Sequence, residues 1–286
     1  MAKTILVTGG AGFIGSHLCE WLVKDGHKVI SLDNYFTGSK DNHIDGVEYI
    51  EGHTKDIEKL IQETPNIVYH LGEYSRVEKS FDDMPIVWEF NKDGTFAVLE
   101  FCRKHGSKIV YAGSSTKFGD GGLGRNQSPY GWAKASNTEL VRNYNSWFSL
   151  TYAITYFYNV YGPREISTGA YATVIGIFKE QYKNGKSLTV VRPGTQKRNF
   201  THVDDIVEGL VAVGEKGEGD EYGLGAEKSY SILEIAKMFG TNIEMIPQRK
   251  GNRMDSSLDL SKSKTLGWKP KKNVEEYIQT FLKDSK

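Results

Sequence analysis

Apolar residues follow two rhythms along this chain, and the rhythm switches at clusters of glycine or hydroxyl residues. Ile5-Leu-Val7 is a short unbroken aliphatic run, the texture of a strand buried on both faces of a parallel sheet. It stops at Thr8-Gly-Gly-Ala-Gly12. From Phe13 to Lys24 apolar residues then recur at Phe13, Ile14, Leu18, Trp21 and Leu22, as on one face of a helix. The same alternation predicts strands over 28–32, 47–50, 65–71, 107–111 and 151–158, with helices over 56–63, 84–105 and 129–147 between them. The 84–105 helix carries Val87, Phe90, Thr95, Val98, Leu99 and Cys102 on one face. The next opens on a hydroxyl cap, Ser128, followed by Pro129 in the first turn. Beyond Tyr161-Gly-Pro163 the texture changes: helices near 170–184, 203–213, 231–239 and 274–283 mix with short strands near 188–191 and 220–224. Strand–helix alternation of this kind predicts an α/β fold, a doubly wound parallel sheet with right-handed crossovers over residues 1–160. A smaller, interleaved C-terminal lobe is expected over 161–286, with the 203–213 helix returning to the first domain.

A strand feeding a glycine turn that opens a helix is the setting in which glycines hold phosphate, because free N–H groups and the helix dipole face the anion. Gly9 would allow the tight turn, Gly12 the approach of a pyrophosphate, and Gly15 the close packing of helix on sheet. Gly10, Gly12 and Gly15 fit the same register, so the pattern leaves open which glycine does what. The second strand ends in Asp33, about 20 residues after the turn, where a dinucleotide fold holds the adenosine ribose. A carboxylate there accepts from both ribose hydroxyls and repels a 2′-phosphate. The expectation is a Rossmann-type domain that takes NAD rather than NADP, bound along Gly9, Gly12, Phe13, Ile14, Gly15, Asp33 and Asn34. The blander alternative is that Asp33 only begins a turn with Asn34.

Charge narrows the partners. Lys+Arg and Asp+Glu both number 36 among 286 residues, so no net basic field points to nucleic acid or a membrane surface. Anionic ligands must be gripped locally. The two cysteines, Cys19 and Cys102, lack metal or redox spacing and sit in apolar helical stretches, as reduced packing residues would; no metal site is expected. No charged-then-apolar leader precedes the first strand and no apolar run reaches 18 residues, which predicts a soluble, cytoplasmic protein.

Ligands of such sheets bind beyond the carboxyl ends of the strands. The fifth strand leads into Ser114, Ser115 and Thr116, and the following helix carries Tyr130-Gly-Trp-Ala-Lys134. Four residues is one helical turn, so Tyr130 and Lys134 share a face. A phenol titrates near pH ~10 unaided, and an ammonium one turn away favours its phenolate. With the Ser114 hydroxyl at hand, that phenolate could take the proton of a substrate alcohol while hydride leaves for a nicotinamide. Lys134 could also hold the nicotinamide ribose. These three are the candidate catalytic residues.

Taken together, Gly9 to Gly15, the Ser114 cluster and Tyr130/Lys134 resemble the extended short-chain dehydrogenases/reductases that act on nucleotide sugars, the epimerase/dehydratase family. The resemblance spans nearly the whole chain. It includes His70-Leu-Gly72, Asn159-Val-Tyr-Gly-Pro-Arg164, Arg198-Asn-Phe-Thr-His-Val-Asp-Asp205 and Leu266-Gly-Trp268, in the family's order. It implies that Leu71 and Gly72 line the cofactor site and that Asn91 lies near the nicotinamide half. It also implies that Ser115, Thr116 and Asn159 meet the sugar nucleotide, while Arg198 and Arg249 clamp its phosphates. An arginine fork matches phosphate geometry. The family's Gly-Asp at the adenine reads Gly52-His53 here, so His53 would donate to or stack on the base, or else sit in a solvated loop.

Departures from the family pattern bear on the reaction. Dehydratases carry Thr-Asp-Glu, and decarboxylases a Glu, where this chain has Ser114-Ser-Thr116, so elimination lacks its acid and base. Oxidation at C4 remains, with or without re-reduction on the other face. Glu73 and Arg76 stand where epimerases have small residues, facing the nicotinamide, the sugar or solvent. The short segment from Gly119 to Tyr130 predicts an unusually open wall over the sugar. These features resemble the GDP-heptose 4-dehydrogenases of surface-polysaccharide synthesis, with a UDP-sugar 4-epimerase as the first alternative and a non-catalytic, NAD-sensing regulatory protein on the same fold as the second. The resemblance further implies a homodimer formed through the 84–105 and 129–147 helices.

Overall fold

All six strands expected in the first 160 residues form, and they hydrogen-bond side by side in one parallel sheet. The computed structural model describes residues 1–118, 120–248 and 258–285. In chain order the first lobe runs β1 (Thr4–Thr8), α1 (Phe13–Lys24), β2 (Lys28–Asp33), β3 (Val47–Glu51), α2 (Ile57–Leu60), β4 (Ile67–His70), α3 (Met84–Val87), α4 (Gly94–His105), β5 (Lys108–Ser114), α5 (Pro129–Phe148) and β6 (Tyr152–Phe157). The later part contributes β7 (Val160–Tyr161), α6 (Val174–Lys183), β8 (Leu188–Val191), β9 (Lys197–Asn199), β10 (Thr201–His202), α7 (Val203–Lys216), β11 (Gly219–Leu224), β12 (Ser229–Ser231), α8 (Ile232–Met238), β13 (Ile243–Ile246), α9 (Ser261–Thr265) and α10 (Val274–Asp284).

The main sheet has the order β11-β6-β5-β4-β1-β2-β3, parallel throughout. Strand order reverses between β1 and β4, which opens a crevice at their carboxyl ends. The backbone is tightest there. Gly9 has φ +74°, and a Cβ on it would lie 2.9 Å from the Cα of Gly72. A Cβ on Gly15 would meet the Gly9 carbonyl oxygen at 2.0 Å, so only glycine lets α1 pack this close to the turn.

Each face of the sheet carries its own apolar layer. On one, Ile5, Val7 and Val29 pack with Leu18 and Leu22 of α1 and with Ile206, Leu210 and Val213 of α7. On the other, Leu6, Ile30 and Val68 meet Val98, Leu99 and Cys102 of α4 and Val141 of α5. A third cluster, with Ile175, Phe178, Leu188, Ile235 and Ile278, forms the smaller lobe around the β8–β13 pair.

Three expectations need correction. The 220–224 strand belongs to the edge of the main sheet, beside β6, rather than to the smaller lobe. Trp268 also lies in the first lobe's core, its indole donating to the Asp205 carbonyl at 2.8 Å. Residues 161–286 are therefore divided between the two lobes. The 84–105 helix is not uniform either: a π-helical stretch, Trp88–Asp93, separates α3 from α4 and turns Asn91 fully inward. The helix expected over 56–63 ends at Leu60, because Ile61 is extended and buried. β9, β10, β12 and β13, two to four residues each, are too short to show a period in the sequence.

Candidate active site

The crevice is a continuous cleft from the β2 tip to the start of α5. Gly9, Gly12, Phe13, Ile14, Gly15, Asp33, Asn34, His53, Leu71, Gly72, Tyr130 and Lys134 all line it. At one end Asp33 accepts from the Ala11 N–H (2.9 Å) and the Tyr35 N–H (2.8 Å), so the carboxylate is tied to the glycine turn itself. Burial pushes its carboxyl up, against those two bonds. His53 uses Nδ1 to accept from Lys55, which leaves its proton on Nε2, a buried donor with no protein partner. It faces the cleft, edge-on to Phe90 at 4.8 Å, and not solvent.

At the other end the Tyr130 hydroxyl donates to the Ser114 Oγ at 3.2 Å. Thr116 turns both its hydroxyl (2.9 Å) and its N–H (3.3 Å) onto the same Ser114 oxygen. Ser128 caps α5 by accepting from the Gly131 N–H at 3.0 Å, which fixes the first turn and so the place of Tyr130.

Lys134 is buried and its ammonium has partners already, the Ala112 carbonyl and the Glu73 carboxylate. Glu73 in turn is enclosed. It accepts from Thr95 Oγ1 (2.9 Å), Tyr111 (3.1 Å) and Asn137 (3.1 Å). Burial is the largest single influence and works against its charge, but Lys134, His70 and the hydrogen bonds from Lys134 and Thr95 together outweigh it and hold the carboxyl below the usual range. Thr95 gives its proton to Glu73, so His70 Nε2 must donate to Thr95 Oγ1 at 3.1 Å. His70 Nδ1 then accepts from Thr8 Oγ1 at 2.8 Å, and Thr8 Oγ1 accepts from the Gly72 N–H at 3.0 Å. Acceptance at Nδ1 requires a neutral imidazole, and burial pushes His70 down to about 4. One buried chain of hydrogen bonds thus runs from the glycine crossing to Lys134.

Six expected residues do not line the cleft: Ser114 is buried and reaches it only through its bond to Tyr130, and five others lie elsewhere. Asn91 spends its amide on the Tyr74 backbone, accepting from N–H (2.7 Å) and donating to C=O (3.0 Å), because the π-helical stretch turns it inward. Ser115 and Thr116 are buried beneath Ser114. Asn159 and Arg198 lie past β6 and on β9: Asn159 donates to Asn199 O (3.4 Å), Arg198 to Lys197 O (2.7 Å). Arg249 lies outside the described residues.

The roof of the cleft is not marked by any motif in the sequence. Phe36, Tyr74, Phe90 and Tyr171 meet there, with Phe36 5.0 Å from Phe90 and 5.3 Å from Tyr171. Asp83 ties two of them, accepting from Tyr74 (2.8 Å) and Tyr171 (3.2 Å). Tyr171 is supplied by the later lobe, so the roof draws on both lobes. Aromatics from three loops and the π-helical stretch share no common period, so only the tertiary fold assembles them.

Known proteins match this arrangement over its full length. The chain is 34% identical to a putative UDP-glucose 4-epimerase of Methanocaldococcus jannaschii, over 97% of each chain. It is 30% identical to UDP-glucuronic acid decarboxylase 6 of Arabidopsis thaliana, over 98% of this chain and 88% of that one. Among solved structures, the Thermus thermophilus UDP-glucose 4-epimerase in complex with NAD superposes with a TM-score of 0.89, at 27% identity, over 99% and 98% of the two chains. Residues 5–225 match the NAD dependent epimerase/dehydratase family, whose cofactor fits the glycine turn, the Asp33 carboxylate and the orphan His53 donor. By family match and by fold alike, the chain belongs to the NAD dependent epimerase/dehydratase family.

Proposed function

We propose that this protein is a nucleotide-sugar 4-epimerase: it oxidises the sugar C4 hydroxyl with bound NAD and reduces the ketone on its other face. The observation that carries the reading is the Tyr130 phenol held against Ser114, one turn from Lys134, at the end of the NAD cleft. Tyr130 takes the C4 hydroxyl proton, Ser114 orients that oxygen, and Lys134 holds the cofactor end of the cleft. NAD supplies the hydride acceptor. Elimination of water or carbon dioxide would need a free carboxyl group at the sugar. Ser115 and Thr116 are none, and Glu73 is committed to Lys134.

A UDP-linked sugar is the first choice, since the relatives named above act on UDP-sugars by name. A GDP-heptose 4-dehydrogenase of polysaccharide synthesis would use the same Tyr130 and Lys134 but would release the ketone. The NAD-loaded protein is incubated with UDP-glucose, UDP-galactose and GDP-sugars, and products are weighed. Equal mass marks an epimer; loss of two hydrogens marks a net dehydrogenase. Tyr130→Phe is expected to lose at least about a hundredfold in rate. Neither epimer, ketone nor NADH from any sugar, with wild type and Tyr130→Phe alike, would end the proposal.

Two copies are proposed to pair through α4 and α5. The outer faces of these helices carry the exposed aromatics Phe96, Trp132, Trp147 and Phe148, and Trp132 stacks on Trp88 at 6.1 Å. An uncovered aromatic face of this kind marks an interface.

A further inference from the structure

The charged side chains lining the cleft, among the described residues, are Asp33, Glu73, Arg76 and Lys134. Glu73 and Lys134 cancel one another. Asp33 lies two strands away, roughly 10 Å, with both oxygens on backbone N–H groups. That leaves Arg76. Its Nε is buried and meets no acceptor, and no carboxylate among the described residues pairs with it. Tyr74, two residues before it, packs in one cluster with Tyr130 and Tyr171, and the phenols of all three act on the charge of Arg76. Tyr74 and Tyr171 donate to Asp83, so neither neutralises the guanidinium.

The loop that carries Arg76 is held firmly. Asn91 fixes the Tyr74 backbone by two bonds, and Glu73 anchors the preceding residue in the buried network. A fixed, unpaired guanidinium beside the catalytic phenol is a site prepared for an anion. If the phenol meets C4, as the proposed function has it, the groups next to it are the substituents at C3 and C5. The diphosphate hangs from C1, across the pyranose ring. Of the substrate's anions, the one that can reach Arg76 therefore belongs to the sugar and not to its phosphates.

We propose that the substrate is a nucleotide-linked uronic acid or a similar acidic sugar, and that Arg76 grips its carboxylate as a specificity-determining residue. The guanidinium fork accepts a carboxylate in two parallel bonds and rejects a neutral hydroxymethyl group, which would leave the cation buried and unpaired.

The NAD-loaded protein is titrated calorimetrically with UDP-glucuronate, UDP-galacturonate, UDP-glucose and UDP. Wild type should bind the better uronate at least about thirtyfold more tightly than UDP-glucose. In Arg76→Met that ratio should fall to about one, and Arg76→Lys should recover part of it, while circular dichroism reports that both variants are folded; a loss of NAD affinity in Arg76→Met overturns the inference in favour of a contact to the cofactor. No uronate preference in wild type overturns the inference and leaves the epimerase reading intact. Equal weakening of UDP and UDP-glucuronate by Arg76→Met overturns it in favour of a diphosphate contact. If NAD binds but none of the UDP ligands does, this inference and the UDP-sugar reading fail together.

Discussion

Single residues in this protein matter through the partner each one has already committed to. Lys134 shares a helix face with Tyr130, as a spacing of four dictates, yet its ammonium rests on Glu73, a residue 61 positions earlier. Seen alone, Glu73 reads as a loop carboxylate that could face water. Enclosed at 3% side-chain exposure, it is the hub of the network behind the active site. His70 belongs to the same network and yields a pH prediction. It is neutral when folded, with its proton affinity pushed down to about 4, while the unfolded imidazole titrates near ~6.5. The unfolded state therefore binds more protons between those values, so stability is lost as pH falls from about 6.5 towards 4. The loss attributable to His70 should be on the order of 3 kcal/mol. Denaturant melts across that window check it, with the difference between wild type and His70→Gln flattening below pH ~4.

At the scale of elements, the decisive piece is the loop after β4. It carries Glu73, Tyr74, Ser75 and Arg76 into the cleft, and the side chain of Asn91 from the π-helical stretch holds its backbone at Tyr74. Asn91→Ala would leave a buried N–H and C=O of Tyr74 unpaired, at a cost of about 1–3 kcal/mol. The loop would also gain freedom. The expected result is a lowered melting temperature together with weaker binding of the sugar nucleotide and little change in NAD affinity. An equal loss of both affinities would argue instead for damage to the whole cleft. The residues matching the family pattern fall into two kinds at this scale. Gly9, Gly15 and Gly72 shape the crevice, whereas Asp205 and Trp268 hold the last segment of the chain to α7. Asp205 accepts from Lys271 (3.1 Å) and Lys272 (3.0 Å), far from any chemistry.

For the whole molecule, the two lobes are sewn together at several seams. Arg164, after β7, reaches back to His17 (2.8 Å) and to Glu20 of α1 (2.5 Å), and Tyr171 crosses to the aromatic roof. A cleft held from both sides can keep water away from a transferred hydride. The outward face of α4 and α5 bears on assembly. If it is the dimer interface, Trp147→Glu, at 60% exposure in the single chain, should shift light scattering from dimer to monomer while the protein stays folded. A wild-type protein that is monomeric at working concentration removes the dimer.

The sequence by itself determined the strand–helix alternation, the dinucleotide turn and the Tyr130/Lys134 pair. All three rest on residues close together in the chain, where period and local sterics act directly. The tertiary structure alone decided that β11 completes the main sheet, that Asn91 props a loop, that four scattered aromatics roof the cleft, and that Glu73 neutralises Lys134 and leaves Arg76 bare. Each of those depends on which distant segments meet, and burial turns such a meeting into an obligation to pair charge and hydrogen bonds that no local spacing records.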